Sequence, residues 1–453
     1  MAETGTINQT SLLRINRFDA EYFRRQNAHA FDLVSAHQTM RIGALAFITD
    51  GEHGTLQTSS DGFAKYYGAR NVLTGILTNK GVEFITKEAH ERLLKSVLAP
   101  DDVLISCVGA NIGSAAIVPD DVGVANIVRN VALVRSKSEA VNNQYLLAYF
   151  MSKYGRQLFV RVATGNAQPL VSLDNIKTIP VPIFSQPFQR RIREWISEAK
   201  LKHRRSLELY LSAQQLLLSE LGLADWRPLR VNTFERSYKD SIMSRRIDAE
   251  HFHPKYDDIT ATIDRHSPRK LINLANPCQE MIRIDPENDY RYIEIGDVDV
   301  TTGEVGFTER QGKDLPANAK IKIKGGELVI SKVRPTRGAV GVVPVECSSN
   351  SVCSGAFSVF EVSSPMREYL QIVLRTEVGK LQMEKQSRGT SYPTIDNIDV
   401  NNVSIPMVQE AVITNIADLV VQSRIRRQES VTLLQNAKRK VEQAIEGGKE
   451  SAS

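Results

Sequence analysis

In both halves of the chain, apolar residues first form short runs typical of strands and then longer stretches with helical spacing. Short aliphatic runs broken by Gly, Asn and Asp predict strands, and longer runs with a spacing near 3.6 predict helices. The predicted strands are 44–49, 102–109, 114–119 and 130–136 in the first half and 327–333, 338–344 and 356–362 in the second. A helical segment is predicted over 144–163, and another over 367–386. Each half therefore predicts an α+β domain.

A longer helix is predicted at the end of each half. The first begins near Pro187 and ends before Gly222, and the second begins near Val408 and ends before Gly447. Alternating steps of four and three residues form a heptad-like stripe on the first helix, and the stripe recurs in register on the second. The residues predicted to form the seam between the helices are Ile192, Ile196, Tyr210, Leu217, Ile416, Val420, Leu434 and Val441. Matching stripes predict that the helices pack on each other; alternatively, each covers only its own domain.

Three blocks of sequence occur twice, in the same order and with similar spacing. RFDAEYF (17–23) returns as RIDAEHF (246–252), VLISCVGANIGSAAIVP (103–119) as LVISKVRPTRGAVGVVP (328–344), and LDNIKTIPVPI (173–183) as IDNIDVNNVSIPM (395–407). The repeated unit is a whole domain with its long helix. We predict a first domain with an N-terminal arm (1–185), a first helix (186–222), a linker (223–245), a second domain (246–407), a second helix (408–446) and a disordered tail (447–453). The predicted fold is α+β, with two similar strand-rich domains separated by two antiparallel coiled-coil helices in a pseudo-twofold repeat.

Composition narrows the class of protein only slightly. Apolar residues make up 42% of the chain and charged residues 24%, as in ordinary globular proteins. No run is long and apolar enough for a membrane span, and the N-terminus lacks the apolar core of a signal peptide, so we expect a cytoplasmic protein. The net charge of +5 is compatible with a nucleic-acid partner but does not require one. The four cysteines form no C-x-x-C pair, and we expect reduced thiols without metal.

Several motifs together resemble the specificity subunits of type I restriction-modification systems. They are ITDGEHGT (48–55), YYGARNVLTG (66–75), the two copies of the block at 103–119, and the domain exit at 163–196 that leads into the long helix. The similarity extends from Phe18 to Ile445. That family has two target-recognition domains, each followed by a long helix. The second half departs from the pattern because it lacks the Asp-Gly-His residues of 50–53 and the second proline of the exit.

The resemblance also implies partners and cofactors. It implies double-stranded DNA, two methyltransferase subunits and, in the full assembly, motor-nuclease restriction subunits. S-adenosylmethionine, ATP and Mg²⁺ would belong to those subunits, with no cofactor in this chain. The residues agree with a non-catalytic chain: no phosphate-binding loop and no H-E-x-x-H occur, and NPCQ (276–279) is the nearest string to the base-gripping loop of an adenine methyltransferase.

Two loops in each half are candidates for DNA contact. In the second half, KVRPTRG (332–338) places Lys332, Arg334 and Arg337 on a turn between strands, where arginine can pair with guanine, contact phosphate, or simply be solvated. The matching turn of the first half has Asn111 and no cation, so the halves are predicted to prefer different bases. The exit loops supply Asn166 and Gln168 in the first half and Arg388, Thr390, Ser391 and Tyr392 in the second. Further candidates in the first half are His53, Arg70, Asn71 and Arg129.

Two functions from different classes fit these patterns. In the first, each domain reads one half of a bipartite DNA site, and helices about 50 Å long place the domains on successive major grooves about 34 Å apart. Partner subunits would then methylate adenines and cleave DNA at the chosen site. In the second, the chain is a two-domain scaffold that binds proteins through its helices and has no sequence-specific role on DNA.

Overall fold

Two compact units share the chain. A computed structural model describes residues 22–52, 54, 56–165, 169–229, 231–347 and 349–447. The first unit contains residues 1–204 and 427–453, and the second contains 205–426. The sequence-based boundaries separate the long helices from the domains, whereas the compact units divide each helix between them. Most of the predicted tail (447–453) and of the N-terminal arm lies outside the described residues.

In the first unit, short strands alternate with helices along the sequence. Its helices are α1 (Arg25–Ser35), α2 (Ile42–Leu45), α3 (Lys87–Arg92), α4 (Asn143–Met151), α5 (Lys153–Arg161), α6 (Leu173–Lys177) and the first part of α7 (Gln186–Glu220). Its strands are β1 (Thr39–Arg41), β2 (Ala46–Asp50), β3 (Ala64–Tyr67), β4 (Gly75–Ile76), β5 (Glu83–Ile85), β6 (Val103–Ser106), β7 (Ala115–Ile117), β8 (Ala125–Ile127), β9 (Val131–Ser136) and β10 (Pro180–Pro182). All four strands predicted here are confirmed, with small shifts at their ends.

The second unit repeats this series of elements. Its helices are α8 (Tyr238–Ser244), α9 (Lys255–Asp264), α10 (Met366–Arg375), α11 (Glu377–Gln386), α12 (Asn397–Asn401) and the first part of α13 (Glu410–Ile445). Its strands are β11 (Arg269–Lys270), β12 (Asn276–Pro277), β13 (Asp289–Ile293), β14 (Thr308–Gln311), β15 (Ala319–Ile323), β16 (Leu328–Ser331), β17 (Val340–Val342), β18 (Ser351–Ser354), β19 (Phe357–Glu361) and β20 (Ser404–Ile405). The three predicted strands are confirmed, and the predicted linker contains the short helix α8.

The sheets of the two units share their central strand order, although the numbers of strands differ. In the first unit, one sheet has the order β2-β9-β6-β7-β4, and in the second the matching sheet has the order β12-β19-β16-β17. A second sheet in each unit contains a parallel pair, β3 with β8 or β13 with β18, and an antiparallel neighbour, β5 or β14. The α+β fold and the internal duplication predicted from sequence are therefore confirmed.

The helical segments predicted at 144–163 and 367–386 are each broken into two helices. Ser152 and Thr376 take extended backbone angles, and a new helix begins directly after each. The third residue of each new helix is a glycine. A Cβ on Gly155 would lie 2.0 Å from the carbonyl oxygen of Tyr149, and one on Gly379 would lie 2.4 Å from the Cα of Leu374. Periodicity misses the break because both helices continue the same apolar pattern.

The long helices pack against each other within each unit. In the first, the Ser430 hydroxyl donates to the Ala199 carbonyl at 2.8 Å, and Lys202 pairs with Glu429 at 2.9 Å, which gives an antiparallel pair. In the second, the Ser423 hydroxyl donates to the Ser206 carbonyl at 2.7 Å. All eight predicted seam residues are buried: Ile192, Ile196, Tyr210, Leu217, Ile416, Val420, Leu434 and Val441. Ser423 and Ser430 thus donate hydrogen bonds across the seam between the helices. No described helix is both long and apolar enough to cross a membrane.

Replacement of Gly155 by alanine tests the cause of the helix break. Alanine usually stabilises a helix relative to glycine by about 1 kcal/mol. Because a Cβ here meets the Tyr149 carbonyl, we expect Gly155→Ala instead to lower the free energy of unfolding by about 1–3 kcal/mol, measured by urea titration. The control is Gly68→Ala, where the nearest atom would be 3.7 Å from the Cβ. Equal stability of the two variants would show that the glycine is not needed for the break.

Candidate nucleic-acid interface

In the second unit, the turn between β16 and β17 is joined to the exit loop that follows α11. The Arg334 amide donates to the Pro393 carbonyl at 2.7 Å, and the Ile395 amide donates to the Lys332 carbonyl at 2.9 Å. The exit loop closes on itself through two backbone hydrogen bonds of 2.9 Å between Arg388 and Thr394. The turn 332–338 and the loop 387–394, predicted separately, therefore form one surface, which we call the second reading surface.

The first unit joins the equivalent segments in the same way. The Gly109 amide donates to the Pro169 carbonyl at 3.2 Å, and the Val171 amide donates to the Cys107 carbonyl at 3.0 Å. Thr164 and Leu170 exchange backbone hydrogen bonds at 2.8 and 2.9 Å. We call the turn 107–113 with its exit loop the first reading surface. The predicted contacts Asn166, Gln168 and His53 lie outside the described residues.

Arg334 occupies a backbone conformation that favours glycine. Its φ is 48° and its ψ is 55°, and the residue at the matching place of the first turn is Gly109, with a φ of 77°. A left-handed conformation costs a residue with a Cβ about 1–2 kcal/mol. Arginine therefore stands at this position, immediately before Pro335, at a conformational cost that glycine would avoid.

The Arg334 guanidinium is held in place by the exit loop. Its carbon Cζ lies 4.3 Å from the centroid of the Tyr392 ring, and one terminal nitrogen donates to the Ser391 carbonyl at 3.1 Å. Tyr392 remains 68% exposed, and Thr390 and Ser391 are also exposed. A stacked, planar guanidinium with donors left over is suited to bidentate hydrogen bonding with guanine or phosphate.

The other predicted cations of this surface differ in their surroundings. Arg337 is exposed at the tip of the turn. Lys332 is half-buried, and burial lowers the pKa of its ammonium group, against an opposing effect of Asp396. Arg388 is bound by Asp399 at 3.0 Å and by Asp396 at 3.6 Å. Arg388 therefore braces the loop, whereas Arg334 is stacked on Tyr392 and Arg337 is exposed.

The repeated block at 246–252 anchors the base of the exit loop. Arg246 forms a bidentate ion pair with Asp248, at 2.8 and 2.5 Å, and donates to the carbonyls of Gln386 and Ser387 at 3.2 and 3.0 Å. The hydrogen bond from Arg246 holds the pKa of Asp248 below its usual range. His251 bonds to the Lys385 carbonyl at 2.8 Å. The block thus has a structural use next to the second reading surface.

Asn71 does not fit the predicted DNA contact. It is 1% exposed; its amide nitrogen donates to the carbonyls of Thr78 and Lys80, and its oxygen accepts from the Gly68 amide at 3.0 Å. The matching residue of the second unit, Asp297, accepts from a backbone amide in the same way. Asn71 is therefore a structural residue. An asparagine in a sequence can either cap a turn or contact a base, and the residue type alone does not distinguish these two roles.

The remaining predicted contacts of the first unit lie at the surface. Asn111 and Arg129 are exposed. Arg70 is exposed as well, and it pairs with Glu83 at 3.2 Å. The turn of the first reading surface carries no charged residue, so the two surfaces differ in charge although their backbones are joined alike.

Sequence reasoning missed a cleft next to the second reading surface. Its volume is about 560 Å³, and its lining includes Tyr292, Glu294, Asn318, Val333 and Ser354. Val333 belongs to the turn itself. The lining comes from four separate segments, so no local motif in the sequence signals the cleft.

Comparisons with known proteins give similarities of fold at low sequence identity. No family model and no curated protein matches the chain. The type I restriction-modification S subunit from M. genitalium is 10% identical with a TM-score of 0.39, and the match covers 90% of this chain and 94% of that one. The HsdS subunit from Thermoanaerobacter tengcongensis is 13% identical with a TM-score of 0.29, covering 90% and 96%. A structure concerning complex assembly of the type I R-M system is 14% identical with a TM-score of 0.28, with the same coverage. Because these TM-scores are low, the function proposed below depends on this chain's own motifs and geometry.

Two of the three asparagines predicted as DNA contacts, Asn71 and Asn111, are expected to behave differently. Asn71→Ala leaves one backbone amide and two carbonyls without their partner, so we expect the free energy of unfolding to fall by about 1–3 kcal/mol. Asn111→Ala, at an exposed position, is expected to change it by less than about 0.5 kcal/mol. Urea titration of both variants measures the difference. Similar stabilities would contradict the structural role given to Asn71.

Proposed function

We propose that this chain is the DNA-specificity subunit of a type I restriction-modification complex and that each unit reads one part of a bipartite site. The supporting observation is the pair of reading surfaces. The same two loops are joined by the same backbone hydrogen bonds in both units, yet one turn carries arginines and the other carries none. A constant framework with different side chains at its surface suits recognition of two different half-sites.

The long helices fit a role in spacing the half-sites. Helix α7 has 35 residues and α13 has 36, and each passes through both units without a break. Such helices are about 50 Å long, compared with about 34 Å for one turn of B-DNA. We propose that this length sets the separation at which the half-sites are read.

The activity of the complex would reside in other subunits. Following the sequence resemblance, we propose that two methyltransferase subunits bind this chain and methylate adenines at the site it selects, and that restriction subunits join the full assembly. S-adenosylmethionine, ATP and Mg²⁺ would be bound by those subunits. The part of this chain is then to choose the DNA sequence.

A salt series tests DNA reading against the protein scaffold. For the full chain assembled with its methyltransferase subunits, we expect affinity for a site selected from randomised duplexes to fall about a hundredfold between roughly 50 and 200 mM salt, as for about four phosphate contacts. We also expect the preference for both halves of that site to persist. Weak binding that is indifferent to sequence would favour the scaffold.

Arg334 provides a sharper test of the second half-site. We expect Arg334→Ala to reduce discrimination at one base pair of that half-site by about 1–3 kcal/mol and to leave the other half-site unchanged. The matched control is Arg265→Ala, which removes an exposed arginine that directly follows α9 and lies outside both reading surfaces. Base-by-base competition binding measures both. A uniform loss across all sequences would instead indicate a phosphate contact.

A further inference from the structure

A buried arginine connects the second reading surface to helix α7. Arg375, the last residue of α10, is 3% exposed. One terminal nitrogen donates to the carbonyls of Gly338 and Val340 at 2.6 and 3.1 Å, and the other donates to the Val300 carbonyl at 2.8 Å. Its Nε donates to the hydroxyl of Tyr210, a residue of α7. One guanidinium thus joins the long helix, a neighbouring loop and the residue that ends the turn 332–338.

The first unit achieves the same packing with apolar residues. Met151 matches Arg375 as the last residue of α4, and Leu434 of α13 matches Tyr210 of α7 in the stripe. Atoms of Met151 and Leu434 lie 3.0 and 3.1 Å from the position that a Cβ on Gly75 would take. The fold of the unit therefore does not require a charged group at this place.

The second unit keeps the same local geometry around its arginine. Gly303 has a φ of 72°, close to the 83° of Gly75, and a Cβ on it would lie 3.0 Å from Nε of Arg375. The repeat thus provides an internal comparison of a methionine–leucine pair with an arginine–tyrosine pair. A buried polar pair is often no more stabilising than a hydrophobic pair of similar size, so stability alone gives no reason for the exchange.

The arginine differs from methionine in the direction of its hydrogen bonds. It donates to the carbonyl of Gly338, which directly follows Arg337 and closes the turn. Hydrogen bonds from a charged donor are short and directional, and a guanidinium holds its acceptors in a fixed arrangement. Of the two turns, only the second carries arginines.

We propose that Arg375 and Tyr210 are positioning residues that fix the second reading surface relative to helix α7. This inference rests on the proposed function, because the turn is positioned for reading DNA. Arg375 contacts the turn from inside the unit and acts on DNA only through the placement of Arg334 and Arg337.

The test transfers the pair of the first unit into the second. In the double variant Tyr210→Leu/Arg375→Met, we expect a folded protein whose melting temperature changes by only a few degrees, because the gain from an apolar pair offsets the loss of a donor to the three carbonyls. In the full chain assembled with its methyltransferase subunits, we expect preference for the correct bases at the second half-site to fall about tenfold, and preference at the first half-site to stay unchanged. Arg375→Lys keeps the charge without the planar fork and should restore only part of the preference.

A second readout does not depend on DNA. Amide hydrogen exchange of residues 336–340 in the full chain alone should be roughly fivefold faster in Arg375→Met than in the unsubstituted protein. The matched control is Tyr369→Phe, which removes another buried tyrosine hydroxyl of the same unit, bonded to the Pro406 carbonyl at 2.5 Å. It should leave both the exchange of the turn and the half-site preference unchanged.

Each outcome bears on the inference separately from the proposed function. Unaltered preference at the second half-site in the double variant, or exchange no faster than in Tyr369→Phe, would overturn the inference. An equal loss at both half-sites would overturn it as well, because the effect would then not be specific to one surface. Absence of any half-site preference in the unsubstituted complex would refute the proposed function, whereas hydrogen exchange would still show whether Arg375 holds the turn.

Discussion

Each compact unit depends on packing between segments from distant parts of the chain. The core of the first unit includes Ile192 and Ile196 of α7 together with Leu434, Ala437 and Val441 of α13. The N-terminal domain is therefore completed by residues from the far end of the sequence. This packing explains why the compact units divide the long helices, and it makes the helix pair part of both cores rather than a separate rod.

Comparison of the two repeated units distinguishes features that the fold requires from features that differ between the units. Both units share three features: a central strand order of β9-β6-β7 or β19-β16-β17, the helix breaks at Ser152 and Thr376, and the joined loops. Two of the differences lie at the turn itself and where it contacts the long helix. Gly109 is replaced by Arg334 on the turn, and Met151 by Arg375 beneath it. Both changes carry an energetic disadvantage for the fold, one in backbone conformation and one in burial of charge.

Much of the architecture could be predicted from the sequence because repetition doubles each weak signal. The strands, the long helices and the buried stripe follow from periodicities that appear twice. The helix breaks could not be predicted, since the apolar pattern continues through them and the close contact that requires Gly155 is made in three dimensions. The candidate site was less predictable from the sequence. The cationic turn and the exit loop stand out by their composition, but nothing in the sequence indicates that backbone hydrogen bonds join them. Asn71 has the residue type of a base contact but caps a turn, and Arg375 lies in a segment that the pattern predicts simply as helix.

Exchange of one reading module tests the central claim most directly. Residues 246–407 would be replaced by the equivalent segment of another chain with the same repeat, and the hybrid would be expressed with the methyltransferase subunits. Genome-wide mapping of methylated adenine then gives the recognised site. If each unit reads its own half, the half-site of the second unit changes and that of the first is retained. Two unchanged half-sites, or two that change together, would contradict the account.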